Sequence, residues 1–410
     1  MADGRGPKVL LAGHNSLDII PDLSSLAAGF AAFRPGSLIH TQGVRFATGG
    51  AVLNTGLALH RLGMRVRLLI KVGRDPFGQI LQTLITDQLN IATECGQTEL
   101  MLVEEEAAGT SFTLVLSPKN ADRMFVGYSG TNQTFSASDV KEDDLEDVAL
   151  FHFGYPPLLE KMYSDGGKAL AALFAHVRRR GIVTSLDMCM PDVQGESSRV
   201  DWPSFLANVL PHVDVFMPSM EEIMFMLDRE RFDAIKSSGR EFIASITERD
   251  LVSIGQALVD MGARIVGLKL GDYGLYMRTG SCHSDNAGDI VRPRWWKSLC
   301  RMDWSDRELY IPCFSVLVTG TTGAGDCTIA GFLSGMLHEL TIETCMTHAV
   351  AVGACSVEQV DATSGVPSWK DVQDRIKQGW PMLESGIPLK DWKQHDGVYY
   401  GPRDRNRVHG

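Results

Sequence analysis

The stretch VTGTTGAGDCTIAGFLSGML, residues 318–337, decides how the rest of this chain is read. A glycine-rich turn follows an apolar run at 314–318, and Ile329, Phe332, Leu333, Met336 and Leu337 follow the turn. Those five positions fall at i, i+3, i+4, i+7 and i+8, one face of a helix. Gly323, Ala324 and Gly325 therefore stand at its first turn, where backbone N–H groups have no intrahelical partner. Small residues let an anion approach those donors closely, and the helix dipole favours negative charge there. Asp326 can cap such a helix, and beside a bound phosphate it can also take a proton from an attacking hydroxyl. A plain capped helix start accounts for the same residues, since glycine-rich loops recur by chance. No Gly-Lys-Ser/Thr follows the glycines, so the turn is not a P-loop, and its spacing is not that of a dinucleotide fingerprint.

Outward from this segment, short apolar strands alternate with longer helical stretches. Strands are expected at 9–12, 66–72, 150–153, 183–187, 213–217, 265–270 and 314–318, and helices at 52–62, 158–180, 221–227 and 250–261. That alternation predicts an α/β fold, a mostly parallel sheet covered on both faces. Two stretches, about 15–48 and 98–130, break the rhythm with β-rich pieces at 37–41, 44–47, 111–116 and 123–128. They are expected to pair into a small sheet standing off the main one as a lid. A third irregular piece, 279–312, carries Trp295, Trp296 and Trp304. Its aromatics serve as packing or as an interaction surface, and packing is favoured because buried tryptophans usually serve structure. Residues 1–370 form one domain in this reading. Residues 371–410 form a polar extension ending in GPRDRNRVHG, expected to hug the surface or fray.

A second glycine motif, ATGGAVLNTGLALHRLG, begins at residue 47. Gly49 and Gly50 open a helix with Val52, Thr55, Leu59 and Leu62 on its inner stripe, and Asn54 is a donor and acceptor in its first turn. Asp18, in GHNSLDII, is expected on a loop after the first strand, at the sheet edge where ligands of open α/β sheets gather. A lone Asp there also suits a turn or cap, and Asn54 also suits a loop carbonyl.

The chain has 410 residues and a net charge of −11, from 39 basic and 50 acidic residues. Uniform negative charge repels phosphate backbones, so nucleic-acid binding is not expected. No apolar run is long enough to span a bilayer and no secretory leader is evident, so neither membrane insertion nor secretion is expected. The eight cysteines (95, 189, 282, 300, 313, 327, 345 and 355) form no CxxC pair or zinc-ligand spacing, which suits free thiols in a reducing cytoplasm.

Taken together, the motifs resemble the ribokinase-like (PfkB) carbohydrate kinase family. The early signature is GGAVLNTGLALHRLGMRVRLLIKVGRDPFG at 49–78 and the late one TTGAGDCTIAGFLSGML. In register between them lie YSGTNQTF, FHFGYPPLL, SLDMCMPD, MPSMEEI and LKLGDYGLY. The resemblance implies a three-layer α/β/α core with a β-rich lid, and a magnesium- and ATP-dependent transfer of phosphoryl to an alcohol group of a sugar, sugar acid or other small polyol. It implies that Asp326 is the catalytic base and that Gly323, Ala324 and Gly325 form an anion hole for the developing charge. Asp18, Gly49, Gly50 and Asn54 match positions that bond substrate hydroxyls. Lys269 and Gly271 match contacts to nucleotide phosphates, although a lysine ending a buried strand also snorkels to solvent. Ser219 and Glu222 match the Asn-x-x-Glu motif, whose Glu organises magnesium. Many members dimerise through the lid, so a homodimer is open here.

Two positions depart from the family. Ser219 replaces the Asn of Asn-x-x-Glu, and Gly320 stands where an Asp commonly belongs to a monovalent-cation loop, so potassium activation is not carried over. A nucleoside kinase on the same scaffold, or a catalytically silent binding or regulatory protein that kept the fold, are the competing readings.

Overall fold

The computed structural model describes residues 6–26, 28–90, 97–118, 124–192, 194–281, 290–404 and 407. Cys95, Cys282, Arg123 and parts of the tryptophan-bearing insertion and of the last ten residues lie outside the described residues. Fifteen strands are present among the described residues. They are β1 (Lys8–Gly13), β2 (Ser16–Pro21), β3 (Val44–Gly49), β4 (Arg65–Gly73), β5 (Thr98–Glu105), β6 (Phe112–Leu116), β7 (Met124–Tyr128) and β8 (Val148–Gly154). There follow β9 (Val183–Asp187), β10 (Val215–Phe216), β11 (Ile265–Lys269), β12 (Leu275–Thr279), β13 (Glu308–Ile311), β14 (Lys393–His395) and β15 (Val398–Tyr400).

Eleven strands form one mixed sheet in the order β14-β15-β13-β12-β11-β10-β9-β8-β1-β4-β5. From β11 to β5 every pair is parallel, and from β11 to β14 every pair is antiparallel. Alternate residues of the parallel strands go to opposite faces: Val9 and Leu11 join one apolar cluster, Leu10 and Ala12 the other. The first cluster includes helices Ala51–Arg61, Ala324–Leu337 and Ile342–Ser356; the second includes Lys168–Arg179, Met220–Leu227 and Glu248–Asp260. This is the expected three-layer α/β architecture. The carboxyl ends of the parallel strands place residues 154, 187 and 269 along one edge, where the site is assembled.

The two irregular stretches do supply a separate four-stranded sheet, ordered β3-β2-β6-β7. Its make-up differs from expectation in two ways. The piece 37–41 is not a strand, and Thr98–Glu105 pairs with β4 as the edge of the main sheet. That strand mixes partly buried and exposed residues, a pattern equally at home in a lid or on a sheet edge.

Three further expectations are corrected. The run 314–318 is not a strand: Ser315 N–H bonds Pro381 O, Leu383 N–H bonds Cys313 O, and Leu317 and Val318 are exposed. The single helix expected at 158–180 is two, Glu160–Tyr163 and Lys168–Arg179, parted by Gly166 and Gly167, both left-handed at φ 72° and 82°. The segment beyond 370 does not merely lie on the surface. It completes a helix, Trp369–Lys377, and adds β14 and β15 to the sheet. Asp404, fully buried, accepts from Arg307 Nε at 2.8 Å and from the Glu308 backbone. Trp295, Trp296 and Trp304 are buried against the first cluster.

Candidate functional site

Gly323 caps helix Ala324–Leu337 in the left-handed conformation, φ 72°, and a Cβ on it would stand 2.5 Å from the Ala362 side chain. Only glycine suits that turn. Asp326 sits in the helix's first turn, about 1% exposed. Its Oδ2 accepts from Asn54 Nδ2 at 2.9 Å and its Oδ1 from Thr55 Oγ1 at 3.4 Å; the Tyr155 hydroxyl straddles both oxygens at 2.9 and 3.0 Å. On the other side, Lys269 Nζ donates to Asp187 Oδ1 at 2.7 Å. A Cβ on Gly325 would come 3.3 Å from that ammonium, so the lysine stands against the glycine turn.

Asp326, Tyr155, Lys269 and the glycine turn line one part of a cavity of about 550 Å³ together with Ser219, Glu222 and Gly271. The other end is apolar: Phe314, Val316, Val318, Val350, Val357 and Leu383. Here the false strand finds its explanation, because its apolar side chains wall a cavity instead of a sheet. The segment after Lys377 buttresses them. Trp380 stacks on Phe314 at 4.4 Å, with the Arg375 guanidinium 3.6 Å over the indole. A larger hollow, about 910 Å³, lies between Arg231 and Pro388. It contains none of the buried acids, so the smaller cavity is the candidate site.

Three carboxylates and one ammonium share this end. Burial raises Asp326, against the opposing pull of Lys269 and of the Asn54, Tyr155 and Thr55 donors. Burial raises Asp187 to about 8, opposed by Lys269 and reinforced by Glu222 and Asp326. Glu222 is raised for the same first reason. For Lys269, burial pulls downward, but the attraction of Asp187, Glu222 and Asp326 prevails and the ammonium is held charged.

Asn54 thus bonds Asp326, where the sequence offered it as a substrate contact. Asp18 lies in β2 and not on a loop, because residues 16–21 pair with β3. A side chain at Gly49 would overlap its carboxylate, and burial raises Asp18 to about 7. Gly50 caps its helix at φ 90°. Asp18, Gly49 and Gly50 line neither hollow. Ser219 and Glu222 form a capping box: Ser219 N–H donates to Glu222 Oε2 at 2.8 Å and Glu222 N–H to Ser219 Oγ at 3.2 Å. One Glu222 oxygen is therefore already engaged. At Gly320, a Cβ would meet the Gln359 and Val360 carbonyl oxygens at 2.8 Å, so this backbone holds glycine.

Sequence reasoning missed Tyr155, Asp187 and Thr55. The first two follow or end parallel strands at the sheet's carboxyl edge, a rule applied only to Asp18. The Ser-x-x-Glu spacing of a capping box was also present at 219–222.

The model of the pfkB family of carbohydrate kinases matches residues 15–369. The chain belongs to that family. It is 24% identical over 311 residues to an uncharacterized sugar kinase of Archaeoglobus fulgidus, covering 76% of this chain and 98% of that one. Its fold is similar to that of an Arabidopsis thaliana ribokinase complexed with ribose and ATP, with a TM-score of 0.64, 17% identity and 91% and 99% of the chains covered. It is also similar to a Methanocaldococcus jannaschii nucleoside kinase, with a TM-score of 0.58, 19% identity and 92% and 99% covered. As a member of the pfkB family of carbohydrate kinases the chain has the ribokinase-like fold.

The site suits a nucleotide and its magnesium. Gly323–Gly325 offers backbone donors to phosphate, Lys269 a cation, and the apolar end a surface for a base. Asp187 Oδ2 is buried without a hydrogen-bond partner, and no three His, Cys, Asp or Glu among the described residues converge as a cage. That donor set suits an ion carried in on phosphates, which needs only one or two carboxylates.

Proposed function

We propose that this pfkB-family protein transfers the γ-phosphoryl group of ATP to a hydroxyl of a sugar, sugar acid or other small polyol. The observation that carries the reading is Asp326, a buried carboxylate at a helix start behind a glycine turn, sharing one cavity with a lysine. The acceptor hydroxyl gives its proton to Asp326 as its oxygen bonds the γ-phosphorus, and the bond to the β-phosphate oxygen breaks to leave ADP. A carboxylate raised by burial is the stronger base for that step. The N–H groups of 323–325 and the Lys269 ammonium receive the charge that spreads over the transferring oxygens. Magnesium would neutralise phosphate charge, with Glu222 and Asp187 as the carboxylates available to it. Asp18, Gly49 and Gly50 belong to the acceptor side in this proposal, next to the helix that carries Asn54.

The likeness to a nucleoside kinase supports a second reading, in which the acceptor is a ribosyl hydroxyl. A cytoplasmic location and a homodimer through the lid belong to the same proposal. No helix among the described residues is long and apolar enough to cross a membrane, and Phe125, Val126 and Tyr128 of β7 are exposed. The deciding experiment is ATP turnover with magnesium across sugars, sugar acids, polyols and nucleosides. Wild type is expected to turn over one group, with Asp326→Asn lower by about 10²–10⁴-fold while ATP still binds. Full turnover by Asp326→Asn would overturn the base. ATP binding with silence across the panel would favour the regulatory reading.

A further inference from the structure

Asp326 has three donors, and they come from two directions. Asn54 and Thr55 are buried on helix Ala51–Arg61 and line neither of the two cavities described. Tyr155 is the one donor of the three that is partly exposed and lines the cavity, and its hydroxyl lies within 3.0 Å of both carboxylate oxygens. A base that must accept a proton from a molecule in that cavity needs a lone pair on that side, and the phenol occupies it. Its backbone is an outlier as well. Tyr155 is left-handed, φ 61° and ψ 48°, directly before Pro156 and Pro157, where a residue is ordinarily extended. The turn is tied to the site itself, because Tyr155 N–H donates to Asp187 O at 3.2 Å. Unfavourable backbone retained beside a cavity is a mark of functional constraint.

We propose that Tyr155 is a positioning residue that holds the acceptor's place on Asp326: its phenol occupies the position of the incoming hydroxyl and is displaced when the acceptor binds. The displaced phenol has acceptors at hand. His14 Nδ1 and Asn54 Oδ1 are buried without partners, and the His14 ring centre is 6.0 Å from that of Tyr155. Burial keeps His14 neutral, at about 4, so it can accept. Besides Asp326 and His14, the charged or titratable groups acting on the phenol are Asp187, Glu222 and Cys189. Burial, then Asp326, keep the phenol protonated, so it stays a donor.

This inference rests on Asp326 being the base, and the test separates the two. Tyr155→Phe removes only the hydroxyl. Tyr155→Asn, a residue at ease in the left-handed region, removes the phenol without straining the turn. Each is compared with wild type and Asp326→Asn, using the best acceptor from the panel and, with no acceptor added, water as the nucleophile. Losing a competing bond to a charged group should lower the acceptor KM by roughly tenfold and raise acceptor-free ATP hydrolysis by a similar factor, with kcat within about threefold. A fall in kcat with KM and acceptor-free hydrolysis unchanged would overturn the inference and leave the phenol as a brace. Should Asp326→Asn turn over like wild type, the base assignment fails first. Should it be inactive while both Tyr155 variants match wild type in KM and hydrolysis, only the tyrosine inference fails.

Discussion

Two helices of this protein begin alike and are used differently. Ala51–Arg61 and Ala324–Leu337 both start behind a glycine of positive φ, Gly50 at 90° and Gly323 at 72°, and neither cap makes a side-chain hydrogen bond. They pack together, and a bond from Asn54 to Asp326 joins their first turns. Yet the end at Gly50 is plugged from within, since Val52 N–H donates to His14 O and the His14 and Asn15 backbone lies against the glycine. The end at Gly323 opens onto the cavity. Each glycine pair also adjoins an acid whose pKa is raised by burial. Asp18, against Gly49, has no cation among the causes that set its pKa, whereas Asp326 has Lys269 and three donors. A glycine-capped helix start is thus a neutral device, and what faces it decides whether it is packing or chemistry.

The sharpest way to break this comparison is to add one methyl group at each cap. At Gly50 a Cβ would meet His14 Nδ1, His14 O and Asn15 Cα at 2.6, 2.7 and 2.8 Å, two of them atoms that cannot rotate away. Backbone strain and overpacking together predict a loss of about 2–6 kcal/mol for Gly50→Ala. At Gly323 the nearest atom is the Ala362 Cβ at 2.5 Å, and the backbone is left-handed, so about 1–3 kcal/mol is expected from the strain alone. Urea melts alongside kcat and acceptor KM should show Gly50→Ala losing stability and acceptor affinity with little change in kcat, and Gly323→Ala losing kcat beyond what its stability loss accounts for. Equal kinetic losses per unit of stability would erase the distinction between the closed and the open end.

The two acids sharpen it further. Asp18 rises from an ordinary 3.8 to about 7, mainly by burial. Between those values the unfolded chain has released the proton and the folded chain still holds it, so stability falls as pH rises. Below about 4 both states are protonated, and above about 7 the loss is complete. A three-unit rise corresponds to at most about 4 kcal/mol at pH 8. Asp18→Asn lacks this slope. Its gain in stability over wild type should be absent near pH 4, grow through pH 7 and then stay level. Melts of both proteins at pH 4, 6 and 8 measure it, and a gap that does not change with pH would mean that folding leaves the pKa of Asp18 where it is in the unfolded chain.

How much of this was legible depended on whether the deciding contact was local. Helix Ala324–Leu337 and the placement of Asp326 follow from apolar spacing and the glycine turn, both contained in twenty residues. The parallel strands 183–187 and 265–269 follow from short apolar runs, because strands covered on both faces need no alternation. What failed was long-range. Tyr155 reaches Asp326 across 171 positions, and Lys269 reaches Asp187 across 82. Nothing near either residue encodes its partner. The run at 314–318 looked like a strand because apolar residues were assumed to face protein, and here several face a cavity. The polar tail concealed Asp404, whose burial is offset by Arg307.

The smallest effect tests where the family motif and local folding meet. Ser219 stands where the resemblance leads one to expect the Asn of Asn-x-x-Glu, and here it caps helix Met220–Leu227 reciprocally with Glu222. If that cap is its whole role, Ser219→Ala should cost about 1 kcal/mol of stability, and Ser219→Asn, an equally good capping residue, only a few tenths. The kinetic consequence is separable. Glu222 Oε2 is held by the Ser219 N–H, a backbone donor that both variants keep, so the carboxylate should stay in place and the KM for magnesium–ATP should change less than twofold. Thermal melts and ATP titrations of the two variants check this together. A tenfold change in nucleotide KM for Ser219→Asn at unchanged stability would show that the side chain at 219 meets the phosphates directly, and that the open end of the site extends from the glycine turn as far as this second helix start.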